Sequence, residues 1–320
     1  MFANLQINRG FQKWNIFAIF VLIVIGTYAM IHSKQTSLTT QTLPTTQEPP
    51  PTQTPLKEFC TKTSPPAVYT ICTWELKKDN VISGEIHRTG QWEPHITRKL
   101  YTVLKQDRNL TFIDIGANIG YFSLLAASVG QAVVSVEPWA QNIEKLRNSI
   151  RKNKFEGKIT ILNNAVSNDR GVIHIHAPHK DNPGATRLLS DAKVTGSNVF
   201  SAATITLNDL ANYIHTKDTI IKIDIEGNEC RALEKSDELF NKFNVVFISM
   251  EWDVMKKFEN DIGTACPPES IEQMVEMLTK RNFVPYGFSN NLPLNPKEIK
   301  KWTEVDVYWK PRHEGREKQS

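Results

Sequence analysis

Residues 110–123 read LTFIDIGANIGYFS, and this stretch decides the fold. Residues 110–115 form a short, mostly apolar and β-branched run that stops at Gly116, which is the pattern of a buried parallel strand. Residues 119–129 then have helical spacing, so a glycine-containing turn joins a strand to a helix. Because glycine lets the backbone approach a ligand closely and a helix start offers free N–H groups, this turn predicts a binding site.

Strands and helices alternate along the rest of the chain. Further strands are predicted at 132–136, 159–162, 219–225, 245–250 and 305–309. Helices are predicted at 140–154, at 207–214, from 229 onward and at 270–281. A hairpin over 172–176 and a polar insertion to about residue 203 interrupt this alternation. The order predicts an α/β fold: a doubly wound, mostly parallel Rossmann-like sheet with helices on both faces, in one domain over 59–312.

Two carboxylates flank the glycine turn in this arrangement. Asp114 lies two positions before Gly116, where it would repel a pyrophosphate but would suit an ammonium group. Glu137 ends the next predicted strand, where a carboxylate can take both ribose hydroxyls of an adenosine. S-adenosylmethionine (SAM) carries an ammonium, a sulfonium and a ribose and no phosphate. The charge pattern therefore favours SAM over a nicotinamide dinucleotide.

Five ordered blocks resemble the FkbM family of SAM-dependent methyltransferases. They are FIDIGANIGYFS at 112–123, VEP at 136–138, LNNAVSN at 162–168, TITLNDL at 204–210 and IKIDIEGNE at 221–229. The resemblance implies the class I methyltransferase fold and methyl transfer to hydroxyl oxygens, often on sugars or small-molecule scaffolds. It is weakest over 174–203 and beyond about 255, so it says least about the acceptor.

The resemblance also implies which residues contact the cofactor. Four residues of the glycine turn would line the methionine end of SAM: Asp114, Gly116, Asn118 and Gly120. Glu137 would take the ribose, and Asn164 and Ala165 would lie beside the adenine. Glu93, within the GQWEP block at 90–94, would lie near the cofactor mouth.

Acidic residues at the ends of two later strands are the candidate catalytic groups. A hydroxyl acceptor must lose its proton to a base or a metal, and Asp224 is the predicted base, with Glu226 as its helper. Glu226 has a second interpretation, as the cap of the helix that follows. Glu251 and Asp253 form another acidic edge, and with Asp224 they could bind a divalent metal, although a metal-free mechanism is favoured. Lys222 shares a strand face with Asp224 and could tune its pKa.

Histidines and tryptophans supply weaker candidates. His174 and His176 share one face of a predicted strand, and with His179 they suggest a metal site or a base, although surface strand residues are commoner. Three tryptophans could stack on a sugar ring, although each is more often a packing residue: Trp139, Trp252 and Trp302.

The first part of the chain differs in composition from the rest. Residues 1–13 are predicted to be a cytoplasmic tail, 14–32 a transmembrane signal-anchor and 33–58 a disordered Ser/Thr/Pro-rich stalk. A cleaved signal peptide is the alternative. This layout predicts a single-pass type II protein of the Golgi membrane with a lumenal domain, while 313–320 form a disordered tail. The expected acceptor is a glycan hydroxyl; a lipid, a small secondary metabolite or a non-catalytic binding role is the alternative.

Overall charge and cysteine content restrict the partners. The net charge of +4 among 320 residues provides no strong basic field, so nucleic acid is excluded as the obvious target, and an uncharged sugar acceptor is consistent with it.

Cys60 and Cys72 either form a local disulfide or remain free. Cys230 and Cys266 are predicted to be free and buried. The sequence carries no signal for the oligomeric state.

Overall fold

The computed structural model of this chain describes residues 58–107, 109–176, 187–188, 199–257 and 265–312. The described residues form thirteen strands. In chain order they are β1 (Phe59–Lys62), β2 (Thr70–Thr73), β3 (Leu110–Ile115), β4 (Ala132–Val136), β5 (Ile159–Leu162), β6 (Ala165–Val166), β7 (Val172–His176), β8 (Arg187–Leu188), β9 (Val199–Ile205), β10 (Asp218–Ile223), β11 (Asn244–Glu251), β12 (Phe283–Gly287) and β13 (Asp306–Pro311).

Eight α-helices connect these strands within the described residues. They are α1 (Ile82–Thr89), α2 (Pro94–Leu104), α3 (Tyr121–Ser128), α4 (Ala140–Asn153), α5 (Glu229–Glu234), α6 (Asp237–Lys242), α7 (Asp253–Lys257) and α8 (Pro268–Lys280). The predicted helix over 207–214 is instead a 3₁₀ helix, Leu207–Tyr213. A second 3₁₀ helix spans Ile299–Lys301.

Seven strands form a central sheet in the order β12-β13-β11-β10-β3-β4-β5. All pairs from β11 to β5 are parallel, whereas β13 runs antiparallel to both of its neighbours. The predicted doubly wound, mostly parallel sheet is therefore confirmed. The chain leaves β3 towards β4 and β5 on one side and returns to β10 and β11 on the other. This change of direction leaves a crevice at the carboxyl ends of β3 and β10, where ligands bind in such sheets.

The sheet separates two hydrophobic cores. Ile113, Ile115 and Ile221 belong to one core, while Phe112 and Ile220 belong to the other. Every residue of β3 is buried, as expected for a parallel strand that is covered on both faces. This double burial explains why the strand appears in the sequence as an almost continuous apolar run.

Two smaller sheets flank the central one. The hairpin predicted over 172–176 is instead a single strand, β7, because its antiparallel partners β9 and β8 come from later in the chain. The short strands β1 and β2 pair antiparallel near the start of the described chain. All of the described residues belong to one compact unit that begins at Lys57.

The cysteine predictions have different outcomes. Cys60 and Cys72 face each other in the β1–β2 pair and form a disulfide, which decides between the two alternatives. Cys230 and Cys266 also form a disulfide, so the prediction that they remain free is wrong. The reason is tertiary: Cys230 lies on α5, and the segment before α8 brings Cys266 against it from 36 residues away. Sequence spacing gave no indication of that approach.

The predicted anchor and stalk, at 14–32 and 33–58, lie outside the described residues except for Glu58, as do the tails at 1–13 and 313–320. In the part of the chain that the structure describes, no helix is both long enough and apolar enough to cross a membrane.

Candidate active site

A cavity lies at the carboxyl ends of β3, β4 and β10. It takes in the change of strand direction, the place that the fold predicts for a ligand. The sequence singled out eleven cofactor or catalytic residues, and nine of them line this cavity: Glu93, Gly116, Asn118, Glu137, Asn164, Ala165, Asp224, Glu226 and Glu251. Asp114 and Gly120 do not line it. Residues up to 158 positions apart in sequence, such as Glu93 and Glu251, thus meet at one site.

The two glycines of the turn meet other parts of the protein. Gly116 has a φ of 81°, and a Cβ there would lie 1.8 Å from the backbone oxygen of Asp224. Gly120 has a φ of 88°, and its Cβ would lie 2.2 Å from the side chain of Leu146. Both positions need glycine for backbone conformation and internal packing. At Gly116 this requirement holds the end of β3 against the end of β10, which forms the floor of the cavity.

Asp114 lies beneath this floor. Its side chain is 1% exposed, and Oδ2 accepts a hydrogen bond from Ser123 Oγ at 2.6 Å. Burial raises the pKa of Asp114, an effect that Lys222 and the Ser123 hydrogen bond partly offset. Its Oδ1 is buried without a partner. The structure therefore gives Asp114 a role in fixing the start of α3, while direct contact with an ammonium group stays a prediction.

Glu137 forms part of the cavity wall and is held by three donors. Its Oε2 accepts from the backbone N–H of Asn118 at 2.8 Å. Its Oε1 accepts from the Trp139 N–H at 3.0 Å and from Asn142 Nδ2 at 3.3 Å. Burial raises the pKa of Glu137 to about 7, although these hydrogen bonds favour the charged form. The carboxyl group is thus fixed in orientation, and Oε2, which has a single donor, keeps acceptor capacity.

Lys222 and Asp224 form an ion pair at the acidic edge. Lys222 Nζ lies 2.8 Å from Asp224 Oδ2, as their shared strand face suggested. Burial disfavours the ammonium, but Asp224, Glu93 and Asp114 together hold the pKa of Lys222 above its usual range. The Lys222 side chain is 4% exposed and that of Asp224 is 30% exposed. The buried ammonium therefore orients a carboxylate that remains accessible from the cavity.

Glu226 and Glu229 have different positions at the turn after β10. Glu226 lines the cavity with a φ of 56°, and the N-cap position of α5 belongs to Asn228, so the capping interpretation of Glu226 is not supported. Glu229 braces the turn: its Oε1 accepts from the N–H of Ile225 at 3.0 Å and from that of Gly227 at 3.4 Å. Burial raises the pKa of Glu229 to about 8.

Sequence reasoning did not identify Glu229 as a site residue. Glu229 is the last acidic residue of the IDIEGNE stretch, so it was visible in the sequence. A second carboxylate beside the start of a helix is, however, usually expected to be exposed to solvent. The side chain is 0% exposed, and only the folded turn shows its two backbone partners.

Glu93 and Glu251 share an electrostatic environment with the acidic edge. Burial raises the pKa of both side chains, and nearby Asp224, Glu226 and Asp306 raise them further. The Oε2 atom of each is buried without a hydrogen-bond partner. The raised pKa suits Glu251 to donate or share a proton. Among the described residues, the acidic edge does not bring three carboxylates within metal-ligand distance of one another.

Apolar and aromatic side chains close the remaining walls. Ile173 and Ile175 of β7 line the cavity, whereas His174 is exposed and lies with Nδ1 3.1 Å from Ser201 Oγ. This orientation removes His174 as a catalytic base or metal ligand at this site. The His176 side chain and His179 lie outside the described parts of the chain.

The aromatic candidates from the sequence are packing residues in the structure. Trp252 and Trp302 are buried and contact each other, with 4.6 Å between ring centroids. Trp139 stacks on Trp74 with centroids 5.0 Å apart. Three aromatic side chains that the sequence did not indicate line the cavity instead: Trp92, Tyr121 and Phe122.

Solved structures share only a distant likeness with this chain. A methyltransferase FkbM from Methylobacillus flagellatus KT has 16% identity and a TM-score of 0.38, and the match covers 63% of this chain and 44% of that one. An O-methyltransferase from Bacillus cereus in complex with SAH has 10% identity, a TM-score of 0.40 and coverages of 69% and 83%. An rRNA methylase from Streptococcus thermophilus has 12% identity, a TM-score of 0.37 and coverages of 70% and 98%.

These likenesses carry no information about the substrate of this chain, which spans less than half of the M. flagellatus protein. No curated protein matches the sequence. The methyltransferase FkbM domain model, in contrast, matches residues 114–285, from the glycine turn to β12. That region contains more than half of the 320 residues and eight of the nine predicted site residues that line the cavity. The chain therefore belongs to the FkbM methyltransferase family.

Proposed function

We propose that this protein is a SAM-dependent O-methyltransferase that acts on a glycan hydroxyl in the secretory lumen. The observation that carries the proposal is the carboxyl-rich lining of the cavity. Five carboxyl side chains line it, those of Glu93, Glu137, Asp224, Glu226 and Glu251, and Lys222 is its single lysine or arginine in the described residues. Such a lining offers many acceptors to a ligand with an ammonium group and hydroxyl groups, whereas it offers a pyrophosphate only one cation.

Unpartnered oxygens support the fit of SAM. The Oε2 atoms of Glu93 and Glu251 and the Oδ1 atom of Asn228 are buried without partners and belong to cavity-lining residues. Buried acceptors without donors are rare in folded proteins, so a ligand rich in donors explains them. SAM has such donors in its ammonium and its ribose hydroxyls. Glu137 is the proposed ribose partner, and Glu93 is proposed for the methionine end.

SAM supplies a methyl group that is activated by positively charged sulfur. The protein's own task is to align the acceptor, exclude water and remove a proton from the acceptor hydroxyl. Asp224 is the proposed base because its carboxylate is accessible from the cavity and is held by Lys222. Glu226 assists from the same turn, and Glu229 fixes that turn from below. This scheme requires no metal.

The lumenal location has support from the cysteines. All four cysteines of the chain are paired, and structural disulfides persist in oxidising compartments such as the secretory lumen. Together with the anchor proposed at 14–32, this favours a type II protein of the Golgi membrane. A lumenal enzyme on a stalk meets sugar chains as the most abundant hydroxyl-bearing polymers.

Methyl transfer can be tested directly with the full chain, isotope-labelled SAM and a panel of oligosaccharides. We expect a mass increase of one labelled methyl group on an oligosaccharide, located on a hydroxyl oxygen by fragmentation. A methyl group on nitrogen or carbon would contradict O-methylation. Binding of SAM without transfer to any sugar, lipid or small alcohol would instead support a non-catalytic role.

A further inference from the structure

A second cavity lies beside the first, and we call it the α2 groove. Its lining includes the charged and polar side chains of His95, Arg98, Lys99, Ser289, Glu304 and Asp306. They come from α2 on one side and from the segments after β12 and before β13 on the other. Only Asp306, Phe288 and, in part, Lys99 and Glu304 are shielded from solvent, so the groove is open to a large ligand.

The α2 groove adjoins the acidic edge of the active site. His95 lies two residues after Glu93, which lines the first cavity. Asp306 pairs in register with Glu251, another residue of that cavity. His95 Nε2 lies 3.2 Å from Asp306 Oδ2, so this pair joins the two sides of the groove. The His95–Asp306 contact and the Asp306–Glu251 register therefore connect the groove to the edge of the sheet that carries the proposed catalytic carboxylates.

The acidic residues of the groove already have partners. Glu304 Oε1 accepts from Ser289 Oγ at 2.8 Å, and Glu304 Oε2 accepts from the Ser289 N–H at 3.3 Å. Asp306 is paired with His95. These interactions hold the carboxylate oxygens against Ser289 and His95, and neither carboxylate contacts Arg98 or Lys99.

The cations of the groove lack such compensation. Within the described ranges, neither the Arg98 guanidinium nor the Lys99 ammonium contacts a carboxylate. Lys99 Nζ lies 3.4 Å from Tyr308 Oη and 4.5 Å from the centre of its ring. Lys310 is nearby over the Tyr286 ring, and burial together with Lys310 lowers the pKa of Lys99. An anionic ligand would supply Arg98 and Lys99 with the direct anionic partner that they lack among the described residues.

We propose that the α2 groove binds an anionic group of the acceptor saccharide, a uronate carboxylate or a sulfate, next to the sugar unit that is methylated. Arg98 and Lys99 would bind the anion, and the hydroxyl and amide groups of Ser289, Asn291 and Thr303 would contact the sugar. Such remote binding energy aligns the reacting hydroxyl. This inference rests on the proposed function. It also replaces the expectation of an uncharged acceptor, because a small net charge of +4 conceals this local cluster.

The test is a binding titration of the full chain with three disaccharides of equal length: one with glucuronate, one with a sulfate ester and one neutral. We expect at least one acidic disaccharide to bind at least tenfold more tightly than the neutral one. The carboxylate and sulfate arms identify which anion is preferred. Equal binding of all three, or no binding of any, would overturn the proposal.

Matched variants locate the site. Arg98→Ala/Lys99→Ala should lose the preference for the acidic disaccharide, whereas Arg98→Lys/Lys99→Arg should keep most of it. Arg147→Ala/Lys217→Ala removes two exposed cations that line neither cavity and should bind like the wild type. A wild-type preference in the alanine variant would overturn the proposal even if the protein binds acidic sugars elsewhere.

SAM affinity is measured on the same samples, and thermal unfolding checks that each variant is folded. Loss of disaccharide preference with unchanged SAM affinity is the expected result for Arg98→Ala/Lys99→Ala. If the wild type binds the acidic disaccharide through these residues but does not bind SAM, the proposed methyltransferase function fails while the anion site stands. If it binds SAM without any disaccharide preference, the anion site fails alone.

Discussion

The active-site cavity and the α2 groove are linked by the Glu251–Asp306 strand pair, yet their charged groups are arranged differently. Five carboxyl groups and one lysine line the cavity. In the groove the carboxylates have partners, whereas Arg98 and Lys99 contact no carboxylate within the described residues. The difference suggests that the two substrates of one transfer reaction are sorted by charge, the cationic methyl donor in the cavity and an anionic acceptor in the groove.

The largest effect is expected at the base. Asp224→Asn keeps the size of the side chain and an acceptor for Lys222, but removes the carboxylate that is the proposed base. Turnover should fall by about 10²- to 10⁴-fold, which is the usual contribution of general base catalysis. SAM affinity and the disaccharide preference of the groove should both remain, as measured by titration.

Asp253→Asn is the matched control, because Asp253 is exposed and follows the neighbouring strand without lining the cavity. It should retain wild-type turnover. Unchanged turnover in Asp224→Asn would remove Asp224 from the mechanism and shift attention to Glu226.

The floor of the cavity depends on the close contact between Gly116 and the backbone of Asp224, and the groove has no part in this contact. Gly116→Ala places a Cβ 1.8 Å from the Asp224 backbone oxygen, whereas Gly130→Ala meets nothing within 4 Å. Both glycines have a positive φ, so the control carries the conformational cost of about 1–2 kcal/mol without the clash. In denaturant unfolding, the free energy of unfolding of Gly116→Ala should therefore be lower than that of Gly130→Ala by about 2 kcal/mol. Equal losses would mean that the turn relaxes freely.

A change at Glu137 should affect SAM binding in the cavity and leave disaccharide binding in the groove unchanged. Glu137→Ala should weaken SAM binding by about 10- to 100-fold, because hydrogen bonds to a charged group contribute about 1.5–3 kcal/mol. Acidic disaccharide binding should be unaffected. Glu137→Gln keeps one acceptor oxygen and should lose less affinity. Wild-type SAM affinity in Glu137→Ala would place the ribose elsewhere.

The last prediction concerns the dependence of stability on pH. The folded pKa values of Glu137 and Glu229 are raised to about 7 and about 8, above the ordinary value of 4.5, so the folded protein holds their protons more tightly than the unfolded chain. The free energy of unfolding should therefore be highest below about pH 4.5 with respect to these groups, and should fall as the pH rises towards 7 and 8. Each group contributes a slope of about 1.4 kcal/mol per pH unit within its window.

Glu229→Gln removes one of these two groups while keeping the acceptor for Ile225 and Gly227. Its slope between pH 5 and pH 7, measured by denaturant unfolding, should be shallower than that of the wild type. An exposed control, Glu234→Gln, should leave the slope unchanged. Identical slopes for Glu229→Gln and the wild type would show that Glu229 is not a buried neutral acid.

The sequence predicted the cavity better than the groove for a physical reason. Strand ends of a parallel sheet converge on one edge, so Gly116, Glu137 and Asp224 could be placed together from their positions after three apolar runs. The α2 groove combines residues 95–102 with residues 288–306, which no strand register or periodic pattern connects in the sequence. The Cys230–Cys266 disulfide was missed for the same reason, because it depends on how α5 packs against the segment before α8.

Side-chain direction was the other limit. Alternation along β7 left open whether the isoleucines or the histidines face the cavity. Ile175 is buried against the cavity, so His174 faces outward. Likewise Asp114 belongs to the glycine turn in sequence but lies under it in the structure, bonded to Ser123. Residue type and spacing indicate where a group is, whereas packing decides which way it points.

The central claim is that the acid-lined cavity selects a cationic adenosine cofactor, and calorimetric titration of the full chain with SAM and with NAD tests it most directly. The account predicts saturable, one-to-one binding of SAM and no detectable binding of NAD under the same conditions. Binding of NAD in preference to SAM, or no binding of SAM by folded protein, would contradict it.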